Sequence, residues 1–163
     1  MSGKAGAIAI RPARIEDAAE IARFGHASWL AGIAPHVGDA ARSRNIHELF
    51  LAFARDFHAE ILVAAIDGRL VGFGATEHGD NFISDIWVAP EYFGQGIGSA
   101  LLQALEHVIC ERGYETAGIS ALSVNTRALG LYRRCGYDIV KQERVFDEAL
   151  GEVTAKTYLQ KRI

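Results

Sequence analysis

Residues 88–99 are the most informative stretch of the chain, and they read Val88-Ala89-Pro90-Glu91-Tyr92-Phe93-Gly94-Gln95-Gly96-Ile97-Gly98-Ser99. The apolar residues 82–88 predict a strand before this stretch, and the amphipathic spacing of residues 96–112 predicts a helix after it. Three glycines therefore lie at a strand-to-helix turn, where backbone N–H groups lack partners and the helix dipole adds positive charge. Such a turn favours phosphate binding, because glycine lets an anion approach the backbone closely.

Two common phosphate-binding motifs do not fit this spacing. A dinucleotide fingerprint would need a third glycine at position 99, where Ser99 stands, and would normally lie in the first β-α-β unit. A P-loop would need a lysine before Ser99, and that position is Gly98. A dinucleotide-dependent oxidoreductase is therefore disfavoured. On the glycines alone, a turn with only a structural role stays open.

The rest of the chain predicts a mixed sheet covered by helices, an α/β (mixed α+β) fold with about seven mostly antiparallel strands and four helices. Asp67-Gly68 predicts a tight hairpin, and the glycines and proline of residues 31–45 predict a loop. The strands at 82–88 and 116–124 flank a helix, so they are expected to be parallel. The predicted order is β-α-α-β-β-β-α-β-α-β-β, with strands at 5–11, 60–66, 69–77, 82–88, 116–124, 137–146 and 152–162, and helices at 15–31, 46–58, 96–112 and 126–135.

Length and composition predict one domain, residues 1–163, and exclude several classes of function. The net charge of −3 lacks the basic footprint of a nucleic-acid-binding protein. No stretch approaches the roughly 18 apolar residues of a membrane span. Cys110 and Cys135 are interpreted as ordinary thiols of a reducing compartment, and the histidines have no metal-ligand spacing. We expect a cytoplasmic protein with no metal, no nucleic-acid partner and no membrane contact; a homodimer is left open.

A second stretch reads Val124-Asn125-Thr126-Arg127-Ala128-Leu129-Gly130-Leu131-Tyr132-Arg133-Arg134-Cys135-Gly136-Tyr137. It resembles the last signature of the GNAT superfamily of N-acetyltransferases: Asn, then Ala, then Leu-Tyr, then Gly and an aromatic residue. Residues 85–102 resemble the acyl-CoA motif of the same superfamily, which is a strand, a Pro, Arg/Gln-x-x-Gly-x-Gly/Ala and a helix. One departure is Phe93, which stands where the superfamily usually has Arg or Gln and cannot donate a hydrogen bond to a phosphate.

The resemblance implies direct transfer of an acetyl group from acetyl-CoA to the primary amine of an acceptor, without an acyl-enzyme. Tyr132 matches the superfamily's tyrosine near the CoA sulfur, and its protonated phenol can donate a proton to the leaving thiolate. Val88 is the expected backbone donor to the oxyanion. Asn125 is expected to contact the pantetheine arm, to cap the following helix, or both. The full set expected to bind acetyl-CoA is Trp87, Val88, Phe93, Gly94, Gln95, Gly96, Ile97, Gly98, Ser99, Asn125, Leu131 and Tyr132.

The general base is less constrained than the acid. Asp85 is the first candidate because it is the only carboxylate on a strand of apolar residues, where a charge is costly unless it is partnered or used. Glu77 is the alternative. A basic cluster is interpreted as a solvated face, with contact to a CoA phosphate as the alternative, and consists of Arg127, Arg133, Arg134, Lys141 and Arg144.

The acceptor is expected to be a small-molecule amine or another amino group, such as a protein N-terminus or lysine, that binds against residues 15–58, the region that the resemblance assigns to this role. The aromatic and imidazole side chains of that region suit a small amine or pack in the core; they are Phe24, His26, Trp29, His36, His47, Phe50 and Phe53. The alternative function is an acyl-CoA-binding module of the same fold without transferase activity, which Phe93 and the unassigned base favour.

Overall fold

The computed structural model describes residues 6–163, so the first residue of the predicted strand 5–11 lies outside the described part. Eight strands form two four-stranded sheets in this part of the chain. The strands are β1 (Ile8–Pro12), β2 (Ile61–Ile66), β3 (Arg69–Ala75), β4 (Phe82–Ile83), β5 (Asp85–Val88), β6 (Thr116–Leu122), β7 (Asp138–Asp147) and β8 (Glu152–Arg162). The helices are α1 (Ala18–Gly32), α2 (Asp39–Arg42), α3 (Ile46–Asp56), α4 (Ile97–Glu111) and α5 (Thr126–Arg134).

The strand order confirms the predicted mixed and mostly antiparallel fold. The first sheet has the order β1-β2-β3-β5 and is antiparallel throughout. The second sheet has the order β4-β6-β8-β7, in which only β4 and β6 run parallel. Phe82 faces Gly118 in that pair, so the predicted parallel crossover between the two segments is confirmed.

The predicted strand 82–88 is divided at Ser84, which explains why the fold has more strands than predicted. The residues before Ser84 pair with β6, and the residues after it pair with β3. The Ser84 N–H and hydroxyl both donate to the carbonyl oxygen of Ala75, at 2.9 and 3.2 Å. One continuous segment thus contributes a strand to each of the two sheets. As a result β5 and β6 separate, and a cleft lies between them.

Residues 31–45 are more ordered than the predicted loop. They contain a 3-10 turn at Ala34–His36 and the short helix α2, because Ala41 of that helix is buried in the core. The Gly38 N–H donates to a carboxylate oxygen of Glu152 at 2.9 Å. This bond fixes the segment to the hairpin formed by β7 and β8.

Helix α4 covers the seam between the two sheets. Leu101 packs in one apolar cluster with Val71 of the first sheet, and Leu105 packs in another with Ile119 of the second. A Cβ atom at Gly98 would lie 2.7 Å from Leu131, so only glycine lets α4 approach α5 this closely. Within residues 6–163, no helix has both the length and the apolar character that crossing a membrane requires.

Candidate active site

A cavity of about 1090 Å³ lies in the cleft between β5 and β6. Its walls also include the turn after β5, the start of α5, parts of α1 and α3, and the β7–β8 turn. Gln95 is the one predicted acetyl-CoA residue outside its lining; its side-chain amide donates to the carbonyl oxygen of Glu91 at 3.3 Å. The predicted residues that the structure brings together here are Asp85, Trp87, Val88, Phe93, Gly94, Gly96, Ile97, Gly98, Ser99, Asn125, Leu131 and Tyr132.

The glycine turn leaves room for an anion beside the backbone. Gly94 and Gly96 have φ angles of +74° and +83°, and a Cβ atom built on either would meet nothing within 4 Å. Gly96 is the residue that precedes α4, so the unpaired N–H groups and the positive end of the helix dipole lie at this turn. The turn therefore fits the phosphate groups of acetyl-CoA.

The backbone N–H of Val88 is directed toward the cleft. The Ala89 N–H donates to the carbonyl oxygen of Val71 at 2.8 Å. Because successive residues of an antiparallel strand point their N–H groups to opposite sides, Val88 points its N–H away from β3. This orientation suits a donor to an oxyanion that forms in the cavity.

Tyr132 presents a protonated phenol to the cavity. The side chain is only 5% exposed, and its hydroxyl makes no hydrogen bond within residues 6–163. Burial raises the pKa of Tyr132 far above its ordinary value, and the charge of Asp85 raises it further. The phenol therefore stays protonated at physiological pH.

Asp85 is the second group in the cavity whose pKa is shifted by its surroundings. Burial raises the pKa of Asp85, while hydrogen bonds from Trp87 and Ser84 stabilise the charged form and lower it. The charge of Glu77 raises the same pKa. Glu77 also lines the cavity, so the structure brings both candidate bases to the site.

Asn125 caps helix α5, as the sequence predicts. Its Oδ1 atom accepts a hydrogen bond from the Ala128 N–H at 3.2 Å, and the residue also lines the cavity. Asn45 caps α3 in the same way, through the Glu48 N–H.

Two arginines of α5 reach the cavity, although the basic cluster was interpreted as a solvated face. The guanidinium carbon of Arg127 lies 3.4 Å from the centre of the Phe93 ring, and Arg134 lines the same cavity. Burial lowers the pKa of Arg127, but a guanidinium stays charged at any physiological pH. The sequence indicated these two arginines only as part of a basic cluster. It could not indicate the stacking of Arg127 on Phe93, because the two residues belong to segments that are far apart in the chain.

The predicted acceptor-side residues divide into two groups. Trp29, Phe50 and Phe53 line the cavity. Phe24 is fully buried against Phe73 instead, with ring centroids 5.9 Å apart. The cavity lining does not include three of the predicted residues, His26, His36 and His47.

Comparison with known proteins agrees with this geometry. The profile of the Acetyltransferase (GNAT) family matches residues 27–137, which include the whole glycine turn and the Asn125–Tyr137 signature. The chain belongs to the GNAT acetyltransferase family. This GNAT protein is an acetyl-CoA-dependent N-acetyltransferase, as the sequence resemblance implies.

The similarity extends to named relatives and to solved structures. Thialysine N-epsilon-acetyltransferase of Bos taurus is 34% identical over 114 residues, which cover 60% of this chain and 67% of the relative. A GCN5-related N-acetyltransferase of Rhodopseudomonas palustris superposes with a TM-score of 0.74 at 26% identity and covers all of both chains. The PaiA N-acetyltransferase of Thermoplasma acidophilum, solved with coenzyme A, shares the fold at a TM-score of 0.73 and 20% identity, over 96% of this chain and 99% of its own.

Proposed function

We propose that this GNAT enzyme, as one domain over residues 1–163, transfers acetyl groups directly to the primary amine of a small molecule, with Asp85 as general base and Tyr132 as general acid. The observation that carries the proposal is the pairing of these two groups in one cavity. Their surroundings favour the roles of proton acceptor for the carboxylate and proton donor for the phenol. Glu77 is the alternative base.

The residues divide the proton transfers between them. An alkylammonium has a pKa near 10, so the amine must lose a proton to Asp85 before its lone pair attacks the thioester carbon. The Val88 N–H stabilises the tetrahedral oxyanion. When the carbon–sulfur bond breaks, Tyr132 gives its proton to the thiolate of CoA and recovers one from solvent, while Asp85 releases its proton to solvent.

The lining of the cavity supports a small acceptor. The β7–β8 turn contributes Glu148 and Leu150 to this lining, and α1 and α3 contribute Trp29 and Phe50. Glu77 and Asp85 add negative charge, which attracts a cationic amine. The bovine relative is named for thialysine, which supports a small amine as the acceptor here.

The test is an acceptor screen with the purified enzyme and acetyl-CoA. We expect release of free CoA thiol, and a product one acetyl group heavier, with at least one small aliphatic or aromatic amine. Acetylation only of peptides, at an N-terminus or a lysine, would overturn the assignment of a small acceptor. Tight acetyl-CoA binding with no acetylated product from any amine would instead favour the module without transferase activity.

A further inference from the structure

Arg44 is a cavity residue to which the proposed mechanism gives no role. It lies between α2 and α3, in the region that supplies the aromatic walls of the cavity. Its backbone is fixed by two hydrogen bonds: the Arg44 N–H donates to the carbonyl oxygen of Ala41 at 3.2 Å, and the Arg44 carbonyl oxygen accepts from the Ile46 N–H at 3.0 Å. The other arginines and lysines of the lining belong to α5 and β8, and they are Arg127, Arg134 and Lys156.

The Arg44 guanidinium packs against the β7–β8 turn without being neutralised there. A Cβ atom built on Gly151 would lie 2.5 Å from Nη2 and 3.0 Å from Nε of Arg44, so the group lies directly against the glycine backbone. The nearby acids have other partners: Glu152 accepts from a backbone N–H before α2 at 2.9 Å, and Asp147 pairs with Lys156 at 2.7 Å. Within residues 6–163, the Arg44 side chain makes no hydrogen bond or ion pair. Its charge is therefore available to an anionic group of a ligand.

An apolar wall separates Arg44 from the candidate base Asp85. The Asp85 carboxylate binds the indole N–H of Trp87, and the Trp87 ring meets the Phe50 ring at a centroid distance of 5.1 Å. Phe50 follows Ile46 by one turn of α3, a rise of about 6 Å, and Arg44 precedes Ile46 by two residues. Because Ile46, Phe50 and Trp87 all line the cavity, a ligand that reaches both charged groups must carry an apolar spacer between its own charges.

We propose that the acceptor is an amino acid whose reacting amine and carboxylate lie at opposite ends of an aliphatic chain, and that Arg44 binds the carboxylate. This inference rests on the proposed transfer to a small amine. A guanidinium binds a carboxylate through two parallel N–H donors, a geometry that a simple amine cannot use. The acceptor's chain packs on Ile46 and Phe50, and its amine reaches Asp85. Arg44 is thus a specificity-determining residue that selects amines bearing a carboxylate.

Steady-state kinetics with two matched acceptors test the role of Arg44. The acceptors are ε-aminocaproate and pentylamine, which has the same chain and amine without the carboxylate. We expect the wild type to favour ε-aminocaproate by about tenfold in kcat/KM, and Arg44→Gln to lose this preference through a higher KM. Arg44→Glu should reverse the preference, because it places a negative charge beside the carboxylate. Arg55→Gln is the matched control, since this exposed arginine of α3 lies outside the cavity lining and its loss should keep the wild-type preference.

A third acceptor, free glycine, tests the spacer, because its carboxylate and amine share one carbon atom. Its kcat/KM should be at least about tenfold below that of ε-aminocaproate. The inference is overturned if Arg44→Gln and Arg55→Gln show the same preference, if the wild type favours pentylamine, or if free glycine reacts as well as ε-aminocaproate. A CoA Kd that rises in Arg44→Gln but not in Arg55→Gln, measured by calorimetry, would place Arg44 in the CoA site and overturn it as well.

The same measurements separate this inference from the proposed function. Acetylation of other small amines, but of none of these three, would overturn the carboxylate-binding role of Arg44 and leave the transfer to a small amine intact. Acetylation of no small amine at all would overturn the proposed function itself.

Discussion

The indole N–H of Trp87 donates a hydrogen bond of 3.0 Å to Oδ1 of Asp85, two residues earlier on the same strand. Trp87 is held in turn by Phe50 of α3, whose ring meets it edge-on at a centroid distance of 5.1 Å. The bond fixes one oxygen of a carboxylate that lines the cavity. Asp85 is thus oriented by a neutral donor and not by a cation, which is why burial can raise its pKa instead of a salt bridge lowering it.

The first prediction concerns the base. Asp85→Asn keeps a side-chain oxygen for the Trp87 N–H but loses the proton acceptor, so kcat should fall by about 10²–10⁴-fold near neutral pH. The loss should shrink at alkaline pH, where the amine deprotonates without help. The pH–rate profile checks this, with Glu77→Gln as the matched control. If only Glu77→Gln loses activity, the role belongs to Glu77; if neither does, no single carboxylate is the base.

The second prediction is that Asp85→Asn is more stable than the wild type, by a margin that increases as pH rises. Because the folded pKa of Asp85 is raised, the unfolded chain releases this proton first, and the wild type loses stability as pH rises from about 3.8 through the folded pKa. The Tm advantage of Asp85→Asn should therefore grow as pH rises above about 3.8, by roughly 2–4 °C for each kcal/mol of desolvation cost removed. Melting curves across this range check it. A variant less stable than wild type at every pH would mean that Asp85 is a structural residue.

The third prediction concerns the acid. Tyr132→Phe keeps the buried ring and removes the hydroxyl, so turnover should fall at least about tenfold with little change in acetyl-CoA affinity. Steady-state kinetics and calorimetric binding measure the two quantities. Tyr137→Phe is a useful control, because that hydroxyl donates to Glu106 at 2.9 Å and lies outside the cavity lining. Turnover of Tyr132→Phe within twofold of wild type would assign Tyr132 to packing alone.

The fourth prediction concerns the phosphate turn. Gly96→Ala adds a methyl group beside the open backbone and should weaken acetyl-CoA binding by at least about tenfold. Its backbone strain, about 1 kcal/mol for a left-handed residue, is matched by Gly113→Ala, whose φ is +89° and which also has nothing within 4 Å of a Cβ. Gly113 follows α4 at its other end, outside the cavity lining. Equal Kd values for the two variants would remove the turn from the acetyl-CoA site.

Local patterns predicted most of the fold. Asp67-Gly68 predicted a tight hairpin, and both residues have positive φ, at 50° and 78°. The division at Ser84 could not be predicted, because residues 82–88 form one strand-like run and the choice of partner depends on tertiary packing. Helix α2 was missed for a different reason, since four residues are too few to show a helical period and depend on tertiary contacts such as the burial of Ala41.

The site was predictable where residues are close in sequence. The glycine turn, Asn125 and Tyr132 belong to two compact signatures, and each is found in the cavity lining. The stacking of Arg127 on Phe93 was not predictable, because predicting it requires knowing how far apart two segments lie that meet only in the folded chain. Gln95 also belongs to the signature, yet its side chain donates to the Glu91 carbonyl oxygen and lies outside the cavity lining.

The separation of β5 from β6 leaves two strand edges facing each other inside the protein. Exposed strand edges can pair with strands of other molecules and promote aggregation. Here helices and the β7–β8 hairpin surround the two edges. The gap between β5 and β6 thus has the place of a missing strand. A slender ligand rich in amide groups can bind there and form hydrogen bonds with the unpaired backbone groups of both strands. The Val88 amide should then exchange its hydrogen rapidly in the free enzyme and slowly in the acyl-CoA complex.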